Sequence, residues 1–105
     1  MTTIVITETA RAQLDEVAAW WLENRPAAPE LFENELAAAL GVLTTVPRAG
    51  SLYAHPRAAG IRRLLLLRCR YHLYYSIEPE TDGPGEIVTI VSLWHTRRGA
   101  GPALR

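Results

Sequence analysis

Hydrophobic residues change their spacing several times along this chain, and each change marks an element. Thr2 to Ile6 is a short β-branched run bounded by threonines, which predicts an opening strand. From Glu8 onward Ala10, Leu14, Val17, Ala18 and Trp21 recur at helical spacing, with Arg11, Asp15, Glu16 and Glu23 between them. That pattern predicts a helix of about four turns, capped by Thr7 or Thr9 and ending near Asn24. Arg25 to Pro29 contains Pro26 and Pro29 and reads as a tight connection. Pro29 suits the first turn of a second helix, predicted from Pro29 to Thr45 with Phe32, Leu36, Ala39, Leu40 and Leu43 as its buried stripe. Glu30, Glu33 and Glu35 fall in its first half, where the helix dipole favours negative charge. The two helices form a hairpin.

Arg48 to Gly60 is polar, broken at Gly50, Pro56 and Gly60, and predicts a loop. Ile61 to Arg68, Tyr71 to Glu78 and Glu86 to His95 read as three strands, the last two separated by the turn cluster Pro79 to Gly85. The order β-α-α-β-β-β predicts an α+β fold, a helical hairpin on one face of a small antiparallel sheet. Both faces of that sheet are apolar. Leu64 to Leu67 is leucine throughout, and one parity of the last strand holds Ile87, Thr89, Val91 and Leu93 while the other holds Val88, Ile90, Ser92 and Trp94. A hairpin covers one face, so another chain is expected over the second. The alternative is that the 48–60 loop and the tail fold back over it.

With 105 residues, the chain has the length of a single domain, 1–105, with 98–105 expected as a mobile or partner-docked tail. No apolar run nears the roughly 18 residues of a membrane span, and the opening residues lack the pattern of a signal peptide, so no membrane association and a cytoplasmic location are expected. Its single cysteine, Cys69, excludes an internal disulfide and any multi-cysteine zinc site. A net charge of zero hides a segregation. Residues 1–46 hold two arginines against seven acids, a net of −5, whereas residues 47–105 hold nine arginines against four acids, a net of +5. Every one of these cations is arginine, and a partner bearing carboxylates or phosphates is drawn to the second half.

Metal and cofactor chemistry find no support, because His55, His72 and His95 are isolated and no HExxH pattern is present. A GxSxG elbow is also missing, and Gly83-Pro84-Gly85 and Gly99-Ala100-Gly101 lack the rest of a dinucleotide fingerprint. Cys69 lies between Arg68 and Arg70, but strand alternation turns its thiol away from them, which makes it a small buried hydrophobe. What remains is Arg62, Arg63, Arg68, Arg70 and His72, with the cluster His95-Thr96-Arg97-Arg98. Metal-free phosphodiester cleavage needs a base, an acid and a cation, and these types supply all three. The simpler reading is that they are solvated or pair with acidic groups of a partner. Tyr71, Tyr74 and Tyr75 could stack on bases, although aromatic residues in strands are more often packing.

Five short motifs in order carry a resemblance over nearly the whole chain: Ala10 to Trp21, Pro47-Arg48-Ala49-Gly50, Gly60-Ile61-Arg62-Arg63, Arg70 to Tyr75, and Trp94 to Gly99. Together they resemble the RelE/ParE superfamily of toxins from type II toxin-antitoxin systems. The resemblance implies a cognate antitoxin with an acidic, flexible segment that wraps the toxin, expected against Leu64, Leu66, Arg68, Tyr74 and Trp94. His95-Thr96-Arg97 looks like the end of the last strand in ParE-like members, which poison DNA gyrase without catalytic chemistry of their own. That branch is favoured, with Arg62, Arg63, His95, Arg97 and Arg98 expected at the target surface. The RelE-like alternative is ribosome-dependent cleavage of mRNA, with His72 or His95 as acid and base and Arg62 and Arg97 on the phosphate. His72 stands where such enzymes often carry a strand arginine, and no tyrosine follows Trp94, which departs from that pattern. A third reading is a toxin-like module active only in antitoxin binding and autorepression. On all three, this chain alone binds no specific DNA sequence and takes no cofactor.

Overall fold

A computed structural model describes residues 1–97 and 102. Among these residues the elements are β1 (Thr2–Ile6), α1 (Glu8–Asn24), α2 (Leu31–Thr45), a 3-10 turn at Pro47–Ala49, β2 (Ser51–Leu52), β3 (Arg62–Leu66), β4 (Tyr71–Pro79) and β5 (Glu86–His95). Thr7 is the cap of α1, its hydroxyl accepting from the Ala10 N–H at 3.1 Å. The second helix starts at Leu31, two residues later than its periodicity suggests, with Pro29 and Glu30 in the turn before it.

The strands form one sheet in the order β1-β5-β4-β3-β2. Neighbours run antiparallel except β1 and β5, which are parallel, with Thr2 opposite Glu86 and Ile6 opposite Ile90. The loop after α2 supplies an unforeseen edge strand, β2, which pairs Ser51 with Arg63 and Leu52 with Arg62.

Both helices lie on one face of the sheet. Ala10, Leu14 and Trp21 of α1 and Phe32, Ala39 and Leu43 of α2 pack there with Leu66, Leu73, Tyr75, Val88, Ile90 and Leu93. Full burial of one large aliphatic or aromatic side chain contributes about 1.5–3 kcal/mol, so this layer carries most of the fold. Val91 is skipped in the register, because Tyr74 faces Ser92 and Tyr75 faces Ile90. This bulge reverses the alternation of β5, so Val88, Ile90 and Leu93 share the helix face while Val91 and Trp94 lie opposite.

On the opposite face Tyr53, Ala58 and Ile61 from the loop pack over Tyr74, Val91 and Trp94. Along that stretch the loop covers the sheet, as in the alternative to a second chain. Leu65 and Val5, on β3 and β1, stay 39% and 43% exposed. The parity of β3 turns Leu64 and Leu66 to the helix side of the sheet, away from the second face on which another chain was expected. Leu66 is 1% exposed in the core there and Leu64 is half-buried against it. Tyr74, at 2% exposure, lies beneath the loop. The expected tail, 98–105, falls almost wholly outside the described residues.

Candidate functional site

One stripe of α1 borders a groove, and Val17 and Trp21 reach from it into the core as well. Gln13, Glu16, Val17, Trp20 and Trp21 recur at intervals of three and four residues, which places them on one side of the helix, and Arg25 follows at its cap. Across the groove stand Arg68, Cys69, Arg70 and Tyr71 from the β3–β4 turn, with Leu93, His95 and Arg97 from the end of β5. The open space between these walls is about 840 Å³.

Each wall is fixed by hydrogen bonds. Past the bulge of β5, the Leu93 N–H donates to Gln13 Oε1 at 2.9 Å, and the Ser92 hydroxyl donates to the same oxygen at 3.3 Å. A backbone donor displaced from a ladder needs an acceptor, and α1 supplies it. The β3–β4 turn is closed by the Arg70 N–H donating to the Leu66 carbonyl at 2.8 Å. Arg70 has φ +65°, the left-handed region that costs a non-glycine residue about 1–2 kcal/mol. Glu35 of α2 holds the turn, its two carboxylate oxygens accepting from the Arg68 N–H at 2.8 Å and the Cys69 N–H at 2.9 Å. Beyond β5, the Thr96 N–H donates to the Arg70 carbonyl at 2.9 Å, and the Arg97 N–H to His95 Nδ1 at 3.1 Å. The His95 ring meets the Tyr71 ring edge-on at 4.9 Å.

Electrostatically the groove is lopsided. Its walls carry Arg25, Arg68, Arg70 and Arg97 against a single carboxylate, Glu16. Among the described residues the one ion pair joins Arg48 to Glu86, so none of these four arginines is ion-paired. Burial pushes the Glu35 carboxyl up, but the N–H groups of Arg68 and Cys69, the Cys69 thiol and the Arg68 charge outweigh it and hold the pKa below its ordinary 4.5. Burial, then the contact with Glu35, pushes the Cys69 thiol up to about 12, so it stays protonated and unreactive. The Arg25 guanidinium lies over both indoles, 5.0 Å from Trp20 and 5.7 Å from Trp21.

The residues singled out from sequence separate into several places. His95, Arg97 and Arg68 share the groove. Arg62 is committed elsewhere, donating to the Gly50 carbonyl at 2.7 Å. Arg63 lies 5.0 Å above the Tyr53 ring, on the loop-covered face. His72 pairs with Trp94 in register on that same face, where burial and then the Arg63 charge lower its pKa. The four side chains of the nuclease alternative therefore occupy three locations. Arg98 lies outside the described residues. Sequence reasoning missed Trp20, Trp21, Arg25 and Glu16 as groove residues. Their signal was a second helical stripe beside the core stripe of α1.

Among the described residues no helix is long and apolar enough to cross a membrane, and no three metal-ligating side chains gather. A family model described as the ParE toxin of the type II toxin-antitoxin system, parDE, matches residues 4–99. The chain belongs to the ParE toxin family. A chain from a structure titled "Chromosomal ParDE TA system from P. aeruginosa" superposes with a TM-score of 0.69 at 17% identity, covering 92% of this chain and 98% of that one. At that identity the likeness shows a shared ParE fold. No curated protein matches this ParE-family chain.

Proposed function

We propose that this ParE-family toxin arrests growth by poisoning DNA gyrase in the cytoplasm, without chemistry of its own, and that an acidic antitoxin segment neutralises it. The observation that carries this reading is the groove. It gathers His95 and Arg97 with Arg68 and Arg70, none of these three arginines being ion-paired among the described residues, while His72 and Arg62, the other two side chains of the nuclease reading, stand apart. A surface of this kind acts by binding, with arginine forks engaging anionic groups of the target. The same charge draws the antitoxin. Of the antitoxin contacts expected from sequence, Arg68 and the half-buried Trp94 remain reachable.

The test is induced expression of the chain in a bacterial host carrying a DNA-damage reporter, beside the double variant His95→Ala with Arg97→Ala. Arrest with the reporter on, lost in the double variant while antitoxin still binds, is the expected result. Arrest with the reporter off moves the target to mRNA. Normal growth with soluble wild-type protein leaves a module active only in antitoxin binding. Unchanged arrest in the double variant removes His95 and Arg97 from the target surface.

A further inference from the structure

Two sets of arginines among the described residues are engaged differently. Arg48 grips Glu86 and Arg62 donates to the Gly50 carbonyl, so both find their acceptors within the fold. Arg25, Arg68, Arg70 and Arg97 instead converge on one open groove whose lining holds a single carboxylate, and none is ion-paired among the described residues. Like charges gathered this way repel, and an anion between them removes that repulsion. Charge density selects the class of anion. A nucleic-acid strand carries a phosphate at every residue of its backbone, which is the regular, closely spaced series of charges that four guanidinium groups along a groove can use together. The aromatic content points the same way. Trp20 is 44% exposed beside Trp21, with the Arg25 guanidinium over both indoles, and grooves for single strands combine cations that track the backbone with aromatic rings and arginine cation–π contacts. Gln13, the amide of the lining, has its oxygen occupied by β5, so that oxygen is committed to the fold and not to a base edge.

We infer that the groove between α1 and the β3–β4 turn binds the phosphate backbone of single-stranded nucleic acid, independently of base sequence. This rests on the composition of the groove and does not require gyrase to be the target.

Fluorescence anisotropy of the purified full chain with a fluorescein-labelled dT12 oligonucleotide tests it. Four phosphate contacts give a slope of about −2.8 in log affinity against log salt, so binding weakens about 50-fold between 50 and 200 mM NaCl. Arg68→Ala with Arg97→Ala flattens the slope by about 1.4 and weakens binding at least about tenfold at 50 mM NaCl. Arg57→Ala, on the loop outside the groove, leaves both unchanged. Glu16→Gln tightens binding by removing the carboxylate. If the double variant does not fold, Arg97→Gln alone carries the test, with the slope flattened by about 0.7. No binding at 50 mM NaCl overturns the inference, as does an Arg57→Ala effect as large as that of the double variant. A duplex that binds more tightly than dT12 overturns the single-strand assignment. An oligoglutamate peptide that binds as tightly through Arg68 and Arg97 assigns the groove to an acidic protein segment instead. None of these outcomes depends on trapping gyrase, so the two readings fail separately.

Discussion

Two arginine-rich regions lie on the helix side of this molecule, and they use the same side chain in opposite ways. Around Gly50 a connected set of polar groups is answered from within the chain. The Tyr75 hydroxyl donates to the Pro47 carbonyl at 2.7 Å and accepts the Gly50 N–H at 2.9 Å, Arg62 caps the Gly50 carbonyl, and Arg48 binds both oxygens of Glu86 at 3.0 and 2.8 Å. At the groove Glu35 and Gln13 answer backbone N–H groups, yet among the described residues none of the four guanidinium groups forms an ion pair. The chain holds a guanidinium as structure where it places an acceptor across from it. Where acceptors are withheld, the guanidinium becomes a surface for something else.

That contrast breaks most sharply at Gly50. A Cβ there would lie 2.6 Å from both the Arg63 carbonyl oxygen and the Tyr75 hydroxyl, and backbone cannot move aside cheaply. Gly50→Ala is expected to cost about 3 kcal/mol in urea unfolding, from overpacking and from hydrogen bonds lost around Tyr75. A loss below about 1 kcal/mol would show that this region relaxes freely. Tyr75→Phe removes only the hydroxyl and should cost about 1–2 kcal/mol, with oligonucleotide binding at the groove unaltered. Arg68→Ala with Arg97→Ala is the reverse case. Stability should stay within about 0.5 kcal/mol of wild type while toxicity disappears, and a large drop in unfolding midpoint would make these arginines structural too.

Acid sharpens the comparison on the groove side. Because the folded-state pKa of Glu35 is lowered, its contribution is complete above the ordinary value of 4.5 and is lost as the pH falls through the folded-state value. Wild type should therefore exceed Glu35→Gln in stability at neutral pH, and the gap should close on acidification. A gap that does not change with pH would mean the carboxylate charge does not hold the β3–β4 turn. The smallest effect belongs to Arg48→Ala. The Arg48–Glu86 pair is exposed, so the change should be slighter than that of Tyr75→Phe and should vanish in high salt.

Much of the fold was legible because its signals are local. β1, α1 and β5 are bounded by changes of period and by Thr7, and all three sit where spacing alone puts them. What failed was non-local. Strand alternation groups Ile90 with Trp94, but the bulge at Val91 separates them, and no residue type in β5 announces it. A run of four leucines gives no parity, so the face of Leu64 and Leu66, expected at an antitoxin, was not legible, and only the pairing with Leu73 and Tyr71 turns them to the helix side. The site was half legible. His95, Arg97 and Arg68 belong to it, whereas Arg62 looks the same in sequence and is consumed by Gly50. Whether an arginine meets an acceptor is decided by backbone from another element, which spacing does not encode.

The place of β5 in the sheet sets a schedule. It is the strand between β1 and β4, with Thr2 opposite Glu86, so the first strand to be synthesised waits for the last. Until β5 is made, β1 has no neighbour, the helices lack Val88, Ile90 and Leu93 beneath them, and the wall carrying His95 and Arg97 does not exist. Pairing across so long a stretch of chain is slow, because loop closure precedes any reward from contact. Throughout most of its translation the chain therefore has no groove, and both of its walls come together in one step at the end.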